Sequence, residues 1–165
     1  MVSIQDISMR ARWDVATRIL TYMPFLFLKE ISRDENGRER ISRVFRAIAE
    51  EMRRIADEFG MPREDAAGLV QTLGTMSVAL FGPEFKTPLI EGDAEETIIR
   101  FTACPMCTLA REKGLKEEDA GVLCAAYVSA VIEALNPAYR IVTNDSMCRE
   151  KLFCEMVILK KEPGA

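Results

Sequence analysis

The sequence contains no histidine among its 165 residues. Every mechanism that needs an imidazole base, an imidazole metal ligand or a Ser–His pair is therefore excluded. Cysteine is absent from the first hundred residues, and all five cysteines lie between Cys104 and Cys154. Sulfur is the only soft ligand and the only strong nucleophile that this chain offers. The chemistry should therefore be sought in the C-terminal half.

Long apolar runs are also missing. The most apolar run, residues 19–28, has ten residues and includes Pro24, whereas a membrane-spanning helix needs about 20. Residues 1–12 are polar and amphipathic, unlike a secretory signal. We therefore expect a cytoplasmic protein with no membrane partner. In a reducing compartment its thiols would be ligands, redox groups or small core residues, not a disulfide framework.

Charged residues are mixed in sign and give a net charge of −4. Residues 33–54 carry seven arginines, but five carboxylates leave only +2 across that span. This pattern favours a solvated helix face with i,i+4 ion pairs over a nucleic-acid site.

The hydrophobic pattern predicts helices across residues 1–83. The first should end or kink at Pro24, and a turn should follow at residues 34–37. The second carries an apolar stripe over residues 41–59 and ends at Gly60. The third should open at Pro62 and stop at Gly82-Pro83.

The pattern changes in residues 84–165. Strands are predicted at 96–102, 139–143 and 152–159, and helices run from Pro105 to Gly114 and over 117–135. The second of these helices is apolar on most sides, so we expect it to be central and buried. The order predicts an α+β fold, with N-terminal helices followed by a small antiparallel sheet (β-α-α-β-β). A helical half, 1–83, and a cysteine-rich half, 84–165, should form one domain.

Four cysteines are candidate metal ligands. Cys104 and Cys107 stand where a strand gives way to a helix, and the free amides and positive dipole end there favour thiolate. Cys148 and Cys154 flank the entry to the last strand. If the two outer strands are neighbours of the first, both pairs could converge at one sheet edge and bind Zn²⁺ or an iron–sulfur cluster. Cys124 lies mid-helix among apolar neighbours, typical of a small core residue.

Two further interpretations remain open. Cys104 and Cys107 could close a disulfide, which would make the protein a thiol redox sensor. Tyr127 and Tyr139 could direct their hydroxyls into a ligand pocket near Cys124, although burial with a single hydrogen bond explains them equally well.

Scattered positions resemble a known family: Phe101-Thr-Ala-Cys104-Pro, Cys124-x-x-Tyr127, Leu135-Asn136-Pro137-x-Tyr139-Arg140 and Phe153-Cys154-Glu155-Met156-Val157-Ile158. Over residues 60–160 the chain resembles the L-2-amino-thiazoline-4-carboxylic acid hydrolase-like family, which is related to 4-vinyl reductase-type small-molecule-binding domains. The family usually has Gly-Asp before the final Cys, where this chain has Arg149-Glu150-Lys151.

The resemblance implies that Cys104, Cys124 and Cys154 are the family's sulfur positions. It also implies a hydrolase acting on a C–N bond of a small cyclic or amidine-like substrate, with Cys104 as nucleophile or as holder of a catalytic metal.

The leading hypothesis from the sequence is a domain that binds a metal (zinc or iron–sulfur) or a small ligand. Cys104, Cys107, Cys148 and Cys154 would be the metal ligands, and Cys124 would lie nearby in the core. The hydrolase and the redox sensor are the alternatives. The N-terminal helices would cover the sheet or form a homodimer.

Overall fold

Three helices precede the sheet, and two more lie between its second and third strands. The computed structural model describes residues 5, 7–31, 36–83, 85 and 89–162. The elements are α1 (Met9–Ile31), α2 (Gly37–Glu58), α3 (Ala66–Phe81), β1 (Leu89–Gly92), β2 (Glu96–Phe101), α4 (Pro105–Glu112), α5 (Glu117–Leu135), β3 (Tyr139–Asp145), a 3-10 turn (Met147–Arg149) and β4 (Cys154–Lys160). The predicted α+β class is confirmed. Of the predicted turn at 34–37, Asp34 and Glu35 fall outside the described residues.

The sequence predicts that the first helix ends or kinks at Pro24 unless packing compensates. In the structure α1 does not end there but continues to Ile31. A proline inside a helix removes one backbone hydrogen bond. Phe25 and Leu28, in the turn that follows, are each only 4% exposed. Their burial in the core offsets the lost hydrogen bond, so the helix runs on.

Helix α3 begins later than predicted. Its N-cap is Asp65, whose Oδ1 accepts a hydrogen bond of 2.7 Å from the Gly68 amide. Pro62 lies before the helix, and its carbonyl accepts a hydrogen bond from the Thr72 hydroxyl. The Asp65 carboxylate thus fixes the start by satisfying a free amide of the first turn. The predicted ends at Gly60 and Gly82 are confirmed. Helix α2 ends at Glu58 with Phe59 as its C-cap, α3 ends at Phe81, and both glycines have positive φ.

The four strands form one antiparallel sheet in the order β1-β2-β4-β3. The sequence predicts three of them and misses β1, whose residues it treats as a connection. Of the two later strands, β4 pairs with β2, whose other neighbour is β1, while β3 lies beyond β4 at the edge. In the central pair, Phe101 lies opposite Cys154.

Helix α5 is central, as its sequence predicts. It packs against α2 on one side and against β3 on the other, and α3 contacts β2 and β4. Leu123, Val131 and Ile132 have no exposed surface. Each such side chain contributes about 1.5–3 kcal/mol on burial, so α5 is a major source of stability.

The apolar stripe of α2 is divided between the core and the surface. Ile41, Phe45 and Met52 are buried, whereas Val44 and Ile48 are exposed. Several apolar side chains of α1 are exposed as well: Ile19, Leu20, Met23, Leu26 and Phe27. Among the described helices, none is long and apolar enough to cross a bilayer.

Two glycines allow a matched test of the turn between β1 and β2. Gly92 has φ +143°, and a Cβ there would collide with the Glu96 carbonyl and the Thr97 backbone. Gly114 has φ +62°, and a Cβ there would meet nothing within 4 Å. We expect Gly114→Ala to cost about 1 kcal/mol of unfolding free energy and Gly92→Ala to cost about 3–4 kcal/mol. Urea denaturation measures both, and equal losses would contradict this account of the turn.

Candidate functional site

The pairing of β2 with β4 brings the cysteine segments together. Cys104 is the N-cap of α4, shortly after the end of β2, and Cys154 begins β4. Because Phe101 and Cys154 are register partners, the end of β2 and the start of β4 lie side by side. Cys148 belongs to the 3-10 turn that leads into β4. The chain thus gathers thiols that are some forty residues apart in sequence.

Cys107 and Cys148 are in direct contact, with their Sγ atoms 2.7 Å apart. Cys107 lies in the first turn of α4 and is 1% exposed, whereas Cys148 is half-buried. The Cys148 amide donates to Ser146 Oγ at 3.2 Å, which holds the turn in place. Gly121 of α5 lies beneath it, where a Cβ would be 3.5 Å from Cys148 Cβ.

The thiols of Cys104, Cys107 and Cys148 form a proton-sharing group, in which Cys107 can donate a hydrogen bond to either of the other two sulfurs. A hydrogen bond from the Cys107 thiol, helped by the amides of Cys107 and Met106, lowers the pKa of Cys104 to about 7 although burial opposes this shift. The same donor lowers the pKa of Cys148, and both interactions raise the pKa of Cys107. A thiol has one proton, so Cys107 serves one neighbouring thiolate at a time. The group can carry a thiolate at neutral pH, as a nucleophile or soft ligand requires.

Cys154 and Cys124 stay protonated. Burial raises the pKa of Cys154, although its sulfur accepts the Met147 amide at 3.2 Å. Burial also raises the pKa of Cys124 well above its usual value. Both belong to the wall of a cavity between the helices and the sheet.

This sulfur-lined cavity is small and almost wholly apolar. Its volume is about 20 Å³, room for roughly one water molecule. Its wall includes Ser77, Phe81, Cys104, Cys124, Tyr127 and Cys154. The Tyr127 hydroxyl lies 3.3 Å from Ser77 Oγ, and burial raises the pKa of the phenol.

Of the predicted pocket residues, Cys124 and Tyr127 line this cavity and Tyr139 does not. Tyr139 is the first residue of β3, at the far end of the sheet. Its hydroxyl donates to the Ala94 carbonyl at 3.0 Å, so it is satisfied within the core. For Tyr139 the simpler sequence interpretation, burial with one hydrogen bond, describes what the structure contains.

A larger cleft, which the sequence does not indicate, opens between α1 and α4. Its volume is about 400 Å³, and its wall includes Thr17, Arg18, Thr21, Phe81, Thr108 and Glu112. Arg18 and Glu112 form an ion pair of 2.7 Å between the two helices. Phe81, at the end of α3, belongs to the walls of both the cleft and the sulfur-lined cavity. No local motif encodes the cleft, because its walls come from distant segments.

The four clustered cysteines suit a metal ion in their chemistry but not in the distance between their sulfur atoms. Four thiols are a suitable donor set for zinc or an iron–sulfur cluster. In the described part of the chain, however, no three Cys, Asp or Glu side chains are arranged to hold a metal ion. Thiolates on one tetrahedral zinc lie about 3.8 Å apart, from Zn–S bonds of about 2.3 Å, whereas Cys107 and Cys148 are 2.7 Å apart. The chemistry suits a metal, but the spacing does not.

Comparison with known proteins yields no match to a family model and none to a curated sequence. Two solved structures are similar in fold. One is a trafficking protein particle complex subunit 3 from Naegleria fowleri covalently bound to palmitic acid, with TM-score 0.58 and 9% identity over 90% of this chain and 96% of that one. The other is the phenol-responsive sensory domain of the transcription activator PoxR with phenol, with TM-score 0.53 and 10% identity over 86% and 74%. At these identities the likeness establishes a shared fold.

The buried contact between Ser77 and Tyr127 can be tested by a double-mutant cycle. Tyr127→Phe leaves the Ser77 hydroxyl without its partner, and we expect a loss of about 1–3 kcal/mol in unfolding free energy. Adding Ser77→Ala should cost little more, which gives a coupling energy of about 1 kcal/mol in urea denaturation. Additive losses would mean that the two hydroxyls do not interact.

Proposed function

We propose that this domain binds a small apolar or aromatic molecule. The molecule enters the cleft between α1 and α4 and places its apolar end at Phe81, against the sulfur-lined cavity. The observation that carries this proposal is the position of Phe81, whose side chain is common to both walls.

The two spaces complement each other. The cleft, at about 400 Å³, falls within the range of about 300–1,000 Å³ that is typical of ligand pockets. The cavity alone is too small for an organic ligand, but a rotation of the Phe81 ring would join it to the cleft.

The chemistry of the walls favours an uncharged apolar group. Phe81 packs edge-on against Tyr127, with ring centroids 5.1 Å apart. Cys124 and Cys154 behind them are protonated thiols, and aromatic and sulfur surfaces favour flat apolar groups. The two structural neighbours contain phenol and palmitic acid. The hydrolase-like family that the sequence resembles is related to 4-vinyl reductase-type small-molecule-binding domains.

Phenol is a suitable first probe. We expect it to shift the NMR signals of Phe81, Tyr127 and Met106 at millimolar concentration. Thr108→Trp should weaken binding at least tenfold, about 1.4 kcal/mol, because Thr108 is an exposed residue on the cleft wall.

The matched control is Ala125→Trp, which adds the same side chain at an exposed site on α5. It should leave phenol binding unchanged. Phenol shifts elsewhere on the surface, or an equal effect of both tryptophans, would count against the cleft as the entrance.

A second candidate function is the binding of a soft metal by Cys104, Cys107, Cys148 and Cys154. It is favoured by the convergence of thiols from α4, the 3-10 turn and β4. The Cys107 and Cys148 sulfurs would have to move apart by about 1 Å.

Cobalt titration distinguishes this candidate from ligand binding. If the thiols bind metal, one equivalent of Co²⁺ should give a thiolate-to-cobalt absorption band that zinc displaces. The band should vanish in Cys148→Ser and persist in Cys124→Ser. No band, or one unaffected by Cys148→Ser, would rule out this ligand set.

Other parts of the sequence interpretation stay predictions. If the protein is a hydrolase, Cys104 would be its nucleophile or would hold a catalytic metal, since Cys104 lies in the wall of the sulfur-lined cavity. Membership of the hydrolase-like family, a homodimer through α1 and α2, the absence of a nucleic-acid partner and a cytoplasmic location are further predictions. The exposed apolar side chains of those two helices support the homodimer.

A further inference from the structure

We propose that Cys107 and Cys148 form a reversible intramolecular disulfide by exchange with a small-molecule disulfide such as oxidised glutathione. This modification site does not depend on the proposed ligand. It also differs from the disulfide that the sequence analysis left open as an alternative, Cys104 with Cys107.

The geometry of the two thiols supports this pairing. Their sulfurs are 2.7 Å apart, and a disulfide bond is about 2.0 Å long. An approach of about 0.7 Å, within the reach of small side-chain rotations, would close the bond. The spacing that is too short for a shared zinc ion is therefore close to what a disulfide needs.

The surroundings hold both thiols in this orientation. Cys107 is fixed by α4 and is nearly inaccessible, so an external reagent meets the half-buried Cys148 first. Cys148 is held by the hydrogen bond from its amide to Ser146 and by its contact with Gly121. One accessible thiol beside one protected thiol is the arrangement of an attacking and a resolving cysteine.

The exchange balances in two steps. The Cys148 thiolate attacks one sulfur of the small disulfide, forms a mixed disulfide and releases one small thiol. Cys107 then passes its proton to the neighbouring Cys104 thiolate. The Cys107 thiolate so formed attacks the Cys148 sulfur and releases the second small thiolate, which takes up the proton. In sum, two protein thiols are oxidised to one disulfide, and one small disulfide is reduced to two thiols. Glutathione or dithiothreitol reverses both steps.

The bridge would close a loop between residues 41 positions apart. It would tie the 3-10 turn covalently to α4. In the same turn, the Met147 amide donates a hydrogen bond to the sulfur of Cys154, which is part of the cavity wall. Oxidation would therefore fix one side of the cavity wall.

The test uses the full chain, reduced and treated with a chelator, then exposed to oxidised glutathione. After denaturation and alkylation we expect three of the five cysteines to be labelled, against all five before oxidation. The oxidised chain should also unfold at a higher temperature until dithiothreitol is added, because the bridge restricts the unfolded chain.

Peptide mapping identifies the partners. Trypsin should yield residues 101–111 linked to residues 141–149. Fragmentation at Pro105 separates Cys104 from Cys107 and shows which of them carries the bridge. Cys107→Ser and Cys148→Ser should abolish it, while Cys124→Ser, the same change in a neighbouring thiol, should retain it.

Each other result would overturn the proposal. A link between Cys104 and Cys107, a link between two chains, a stable glutathione adduct on Cys148 without a bridge, or five free thiols after oxidation would do so. The mapping of the unaltered chain decides the matter even if a variant fails to fold.

Discussion

The antiparallel pairing of β2 with β4 is the constraint on which the rest of the site depends. Its register places Phe101 opposite Cys154. Cys154 and Met156 are buried, while Glu155 between them is only partly buried and pairs with Arg100. A slip of one residue would turn Glu155 toward the core, so the hydrophobic pattern of β4 fixes the register. The meeting of the thiols is thus a consequence of how an apolar strand is buried.

Helix α5 is the second requirement, because it provides a rigid wall behind the thiols. Its apolar surface packs against α2 and the sheet, and Cys124 and Tyr127 are carried on that rigid element. Gly121 allows the 3-10 turn to lie close against the same helix. Side chains on a helix with this much burial keep their positions better than side chains on loops.

Because the chain has no histidine, the protonation states within this cluster are those of the cysteine thiols. Cys107 donates to its neighbours and favours thiolate on Cys104 and Cys148, while burial keeps Cys124 and Cys154 neutral. Two different surfaces result. The neutral thiols of Cys124 and Cys154 and the aromatic rings line the cavity, where an apolar ligand would lie, and Cys104 of the proton-sharing group lies in the same wall. Cys107 and Cys148 meet at the 3-10 turn, where a disulfide and a metal would compete for the same atoms.

Local sequence patterns are sufficient to predict most of the helices and strands and several of their ends. The periodicity of α2 and α5, the β-branched residues of β2 and the stops at Gly60, Gly82 and Asn136-Pro137 act over one or two turns, so local chemistry suffices to predict them. Tertiary structure decided the passage of α1 through Pro24, the strand β1, the position of β4 between β2 and β3, the cleft and the partner of Cys107. Each of these features depends on packing between segments that are far apart in the sequence. The spacing of residues within one segment therefore does not predict it.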